Sequence, residues 1–219
     1  MQTGGAIIAV PAIGRVTRPN DQATALFFAE ERDKDKAAAA ARVNEKMKQG
    51  LEAIRREDPQ ATLTTRYYST TPLYADNNQP RTGKEPVLGW RVIQYLDATT
   101  TNLKTLPKMV AAGQKVLGLA SVRFGPSEPS ARRADRQRIE AAYRSLSERI
   151  AATAAVMGRS SADVVLDSVD FDSSGYWELP IYVGGGGRPD ESPQRIEEPS
   201  FESGVTTLQL KVIGKFKFK

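Results

Sequence analysis

Apolar and polar positions alternate over residues 22–31, where Ala23, Ala25, Phe27 and Ala29 share one parity. That period of two is the mark of a half-buried strand. Residues 6–17 also read as extended, and Pro19-Asn20-Asp21 supplies the turn between the two segments. From Asp33 the period becomes helical. Ala37, Ala40, Val43, Met47, Leu51 and Ile54 recur at three- and four-residue spacing until Asp58-Pro59 stops the helix. The alanine run from Ala37 to Ala41 favours helix and permits close packing.

Thr- and Tyr-rich residues 61–72 predict a strand ending at Pro72, and residues 87–99 a longer one beyond a polar turn at 75–86. A short helix is expected at about 102–112, with Thr101 or Asn102 as N-cap, Gly113 as its stop and Pro107 in its first turns. Residues 115–124 read as a strand that Gly125-Pro126 breaks. Over 130–157, Ala134, Ile139, Ala142, Tyr143, Leu146, Ile150, Ala154 and Met157 form one stripe of a long helix, with Gly158 as its C-terminal cap. Residues 164–171 and 176–183 predict two strands around the turn Asp172-Ser173-Ser174-Gly175, followed by a Gly- and Pro-rich loop at 184–203. Residues 205–219 alternate again, with Leu208, Leu210, Val212, Gly214, Phe216 and Phe218 on one side. Lys211, Lys215, Lys217 and Lys219 stand on the other.

This order predicts an α+β protein: mostly antiparallel sheet, two substantial helices and one short helix, in a single domain over 1–219. Composition removes whole classes of chemistry from it. The 219 residues include no Cys and no His. There is no disulfide framework, thiolate nucleophile, Ser-His-Asp triad, or Cys or His metal ligand. The longest stretch without a polar residue, 4–14, is far shorter than the roughly 20 residues of a membrane span.

Charge is unevenly distributed. The net +5 divides into +9 over residues 1–159, −8 over 160–204 and +4 over 205–219. Blocks of this kind neutralise each other after folding or bind partners of opposite sign. The lysine row admits a further reading, since exposed lysines on an edge strand block unwanted sheet pairing.

No motif supplies a reactive site. Gly184–Gly187 lacks the Lys-Ser/Thr of a phosphate loop and runs into Arg188-Pro189, and Gly83-Lys84 has Asn78 where a phosphate loop needs glycine. Asp170 to Gly175 matches the first half of a calcium loop, but Ile181 stands where a bidentate Glu is required, so a hairpin turn accounts for it. Tyr67, Tyr68 and Tyr74 form a possible recognition cluster, against which stands ordinary packing in a Thr-rich strand. Arg132, Arg133, Arg136, Arg138, Arg144 and Arg149 stud the long helix, but Glu128, Asp135, Glu140 and Glu148 dilute them and no nucleic-acid motif appears. Catalytic, cofactor and metal residues are therefore expected to be absent, and nucleic acid is not the expected partner.

The ordered series of segments resembles the SIMPL-domain family of bacterial periplasmic proteins. It begins with the strand-turn-strand Gly14-Arg15-Val16-Thr17-Arg18-Pro19-Asn20-Asp21-Gln22-Ala23 and continues with Ala41-Arg42-Val43-Asn44-Glu45-Lys46-Met47 in mid-helix. Tyr68-Ser69-Thr70-Thr71-Pro72-Leu73-Tyr74, Gly89-Trp90-Arg91-Val92, a strand ending in Phe124-Gly125 and the long helix from about Ala131-Arg132 follow. Departures are Arg159-Ser160-Ser161 where Leu-Gly is frequent, and the glycine- and acid-rich 184–203 loop.

The resemblance implies an exported, non-enzymatic protein with an indirect part in envelope or oxidative-stress defence, assembling into ring- or channel-like homo-oligomers. It carries over no catalytic residues. Self-association would pair the acidic and basic segments between subunits, which makes Lys211, Lys215, Lys217 and Lys219 the candidate oligomer interface. The start Met1-Gln2-Thr3 lacks a secretory signal, so periplasmic residence implies one already removed. The alternative expectation is a binding or adaptor module for an anionic partner.

Overall fold

The computed structural model describes residues 6–74, 86–171 and 198–219. The expected strand at 176–183, the Gly184–Gly187 run, Gly83-Lys84, and nearly all of the 75–86 turn and the 184–203 loop lie outside those residues. Within them the element order is β1 (Ile8–Pro19), β2 (Gln22–Asp33), α1 (Lys36–Glu57), β3 (Thr62–Tyr74), β4 (Val87–Thr100) and α2 (Leu106–Gln114). Then come β5 (Gly118–Gly125), α3 (Glu128–Val156), a short 3-10 turn at Ser161–Asp163, β6 (Val164–Phe171) and β7 (Val205–Phe218). The class is α+β with antiparallel sheets, two long helices of 22 and 29 residues and a short one of 9, as the patterning predicts.

Two compact units result. The first combines β1, α3, β6 and β7 in a three-stranded antiparallel sheet of order β1-β7-β6. One face of this sheet packs against α3, enclosing Val10, Ala12, Ala142, Leu146, Ala154, Leu210, Val212, Phe216 and Phe218. Small residues set the closeness of that contact. A Cβ on Gly14 would lie 2.2 Å from the Arg138 carbonyl oxygen and 2.3 Å from the Ala142 nitrogen, so the helix backbone rests almost directly on β1. Arg138 Nη1 donates to the Gln209 carbonyl at 2.9 Å, and Arg149 Nη1 to that of Pro11 at 3.2 Å. Buried Thr206 donates to Asn20 Oδ1 at 2.6 Å, and the Asn20 N–H to the Gly204 carbonyl at 3.1 Å.

The second unit holds a four-stranded antiparallel sheet, β3-β4-β2-β5, with α1 and α2 on one face. Ala23, Ala25, Phe27 and Ala29 all point into its core, as their shared parity predicts, against Val43, Met47, Ile54, Leu96 and Met109. Asp35 caps α1 by accepting from the Ala37 N–H at 2.7 Å. At the far end buried Asp58 accepts from the Thr100 hydroxyl (2.5 Å), the Thr105 hydroxyl (3.2 Å) and the Gln60 N–H (3.1 Å).

Three expected boundaries move for physical reasons. The short helix begins at Leu106, not near 102, because Pro107 fits only the first turn. Gly113 lies inside that helix and serves packing: a Cβ there would meet the Phe27 ring at 2.7 Å. β3 runs through Pro72 to Tyr74, since an edge strand tolerates a missing N–H. Gly158 does cap α3, at φ +68° with the Arg159 N–H on the Ala154 carbonyl.

Candidate interaction surface

β7 is the middle strand of its sheet, not an edge. Lys215 and Lys217 have strands on both sides, so they cannot guard an edge, and that reading falls for them. Alternation along β7 buries Leu208, Leu210, Val212, Phe216 and Phe218 towards α3 and turns Lys211, Lys215 and Lys217 to the opposite face. Lys219 follows the last strand residue, its N–H bonded to the Asp163 carbonyl at 2.9 Å.

Register fixes the neighbours of this outer face. Ile13 stands opposite Lys211, Pro11 opposite Ile213, and Ala9 opposite Lys215. From the other side Val165 faces Lys217, Ser168 faces Lys215, and Asp170 faces Ile213. Lys215 Nζ pairs with Asp170 at 3.0 Å. Farther along, Arg15 Nε donates to Gln209 Oε1 at 3.4 Å and the Thr17 and Thr207 hydroxyls meet at 2.9 Å. Ile13 is 43% exposed and Ile7, just before β1, is 59% exposed. The result is a cationic face with aliphatic side chains between the charges. Of the four lysines, it brings three together and leaves the fourth beyond the strand end.

On α3 the apolar stripe divides. Ala134, Ala142, Leu146 and Ala154 are buried, whereas Ile139, Tyr143 and Met157 are exposed. The helix lies over β1 and β7, so β6 keeps an open flank on which Leu166 and Phe171 are exposed. Tyr143, Leu146, Ile150, Val164 and Leu166, with Ser147 and Ser161, line a groove of mixed polarity there. The helix arginines are distributed over separate tasks. Arg138 and Arg149 hold backbone carbonyls, Arg132 pairs with Glu128, and Arg133 donates to Ser130 at 2.8 Å.

In the second unit the sheet face away from the helices carries a row of rings. Phe28 and Tyr95 lie with centroids 6.2 Å apart, and Tyr95 and Tyr67 5.9 Å apart. Tyr67 sits at a β-bulge with φ +51°, the one non-glycine left-handed residue among the described residues, and is 66% exposed. Tyr68 is exposed and Tyr74 half-buried. Of the three-tyrosine cluster, the geometry thus assigns a ring partner to Tyr67, namely Tyr95. Its arrival depends on strand register, a long-range pairing that local spacing does not carry.

Three carboxylates at the end of β2 are held ionised by neighbouring donors. Glu30 sits below the ordinary carboxyl range chiefly through its 2.6 Å bond from Arg91, whose own pKa is raised by the same contact. Glu31 is lowered chiefly by Lys46 at 2.5 Å, and then by Arg42 at 3.2 Å. Asp33 is lowered first by the Asp35 N–H and then by Arg42 at 2.6 Å. A general acid needs the opposite shift. Among the described residues no group of three His, Cys, Asp or Glu side chains could hold a metal ion. Asp170, the first residue of the calcium-loop-like stretch, pairs with Lys215, and residues 172–175 lie outside the described part.

No helix among the described residues is long and apolar enough to cross a membrane. No curated protein matches the chain. A family model does: SIMPL, described as a protein of unknown function (DUF541), matches residues 8–216, from the first residue of β1 almost to the end of β7. With that match over nearly its whole length, the chain belongs to the SIMPL family.

Proposed function

We propose that this SIMPL protein is a non-enzymatic, periplasmic homo-oligomer that works as an assembled scaffold, in a ring- or channel-like form, with an indirect part in envelope or oxidative-stress defence. The observation that carries the reading is the uncovered apolar surface of the first unit: Ile139 and Tyr143 on α3 with Leu166 and Phe171 on β6. Exposed apolar side chains grouped on one flank favour association with another protein surface. On the opposite face of the sheet Lys211 and Lys217 offer cations that acids of a second subunit can meet, because the chain holds ten acids in residues 160–204. The missing His and Cys support a role without imidazole or thiol chemistry.

Light scattering of the purified chain tests the assembly. The expected mass is a multiple of 23.9 kDa. Tyr143→Asp, at a 53% exposed position, should lower that mass without unfolding the protein. A second reading, an adaptor for an anionic partner, draws on the lysine row and predicts salt-sensitive binding by the monomer.

A further inference from the structure

We propose that the outer face of the β1-β7-β6 sheet docks on an anionic lipid bilayer. Three features combine on that face. The first is charge: Arg15, Lys211, Lys215 and Lys217 stand there with Asp170, the acid that the register places among them, while exposed Asp167 sits at the β6 bulge. A negatively charged headgroup layer complements such a face, at about 1 kcal/mol per nearby Lys or Arg. The second is the side chains between the charges. Ile13 lies beside Lys211, Ile213 is flanked by Lys211 and Lys215 along its strand, and Ile7 precedes β1. Exposed aliphatic groups set among cations suit the boundary between headgroups and acyl chains, where both are accommodated. The third is topology. The lysines form a row along the strand shared by both ladders of the sheet, Lys215 and Lys217 with neighbours on both sides and Lys211 beside β1.

These features also decide between occupants. Single-stranded nucleic acid is held by basic grooves with aromatic side chains on which bases stack, and this face offers branched aliphatics instead. A second copy presenting the same face would bring lysine against lysine. A bilayer uses both the charge and the isoleucines. The apolar flank of α3 and β6 that carries self-assembly is a separate surface, and on this proposal Lys211 and Lys217 meet lipid headgroups in place of a second subunit's acids.

Co-sedimentation of the full chain with vesicles tests it. The chain should sediment with phosphatidylglycerol-containing vesicles at low salt, remain in solution with pure phosphatidylcholine vesicles, and be released as salt rises. Lys211→Gln with Lys217→Gln should weaken binding by about tenfold or more, with circular dichroism unchanged. Ile13→Ser, which leaves charge untouched, should also weaken vesicle binding while leaving any binding to soluble polyphosphate unaffected. Failure to sediment with anionic vesicles at low salt would overturn the proposal. So would vesicle binding indifferent to the lysine pair. Equal affinity for soluble polyphosphate together with indifference to Ile13→Ser would assign the face to polyanions in general and reject the bilayer. Loss of oligomer mass without lipid in the lysine variant, with no vesicle binding by the wild type, would assign the face to a second copy.

Discussion

Gly14 shows how much one missing side chain can hold in place. Its neighbours on α3 are backbone atoms, which cannot rotate away as a flexible side chain can. Gly14→Ala would place a methyl group 2.2 Å from the Arg138 carbonyl oxygen and force helix and strand apart. Overpacking of this kind costs about 3 kcal/mol. Gly125→Ala is the matched control, since a Cβ there meets nothing within 4 Å. Denaturant unfolding of the two variants should show a large loss for the first and little change for the second; equal midpoints would contradict the close-contact account. The sequence marks Gly14 as part of a strand, but not as a contact point, because Ala142 lies far along the chain. The same distance hid Tyr95 as the partner of Tyr67, and Thr100 and Thr105 as the donors to Asp58. Residue roles set by local geometry were more legible: Gly158 was readable as a cap from its place after the α3 stripe.

Elements carry the next layer, beginning with the clamp between α1 and β2. Arg42 and Lys46, one turn apart on the helix, reach Glu31 and Asp33 at the end of the strand. Val43 and Met47, beside them in sequence, enter the core. That explains why the segment from Ala41 to Met47 alternates charge with apolar bulk. Glu30, Glu31 and Asp33 all have folded pKa values below their unfolded ones. Their contribution to stability is complete above the ordinary carboxyl range of about 4 and is lost as pH falls from there through the lowered values. Denaturant midpoints should therefore decline below about pH 4, and Glu31→Gln should flatten part of that decline. A variant as acid-sensitive as the wild type would remove Glu31 from the clamp.

Strand β7 gives the second test at this level. From Val212 onwards it is paired on both sides, whereas β1 and β6 each show one unpaired edge among the described residues. Hydrogen exchange should leave the amides of Val212, Gly214 and Phe216, which have strand partners on both sides, the slowest in their sheet. Faster exchange there than in β6 would contradict the strand order. Alternation predicted which β7 residues are buried. It could not say that the strand is central, because an edge strand packed on a helix shows the same period of two.

For the molecule as a whole, patterning, composition and fold agree on an α+β SIMPL protein without Cys or His chemistry. The division into two compact units was not legible, because the first unit is assembled from strands at opposite ends of the sequence. Nor was the open flank of α3. The stripe from Ala134 to Met157 reads as one buried face, yet the helix rests chiefly on β1 and β7, and Ile139 and Tyr143 stay outside. Those uncovered side chains are the physical reason to expect a second copy. Light scattering on the full chain at micromolar concentration and moderate salt is the most direct test. The account predicts a mass several times 23.9 kDa that falls towards a single chain in Tyr143→Asp. A wild-type protein that scatters as a 23.9 kDa monomer under those conditions would contradict it.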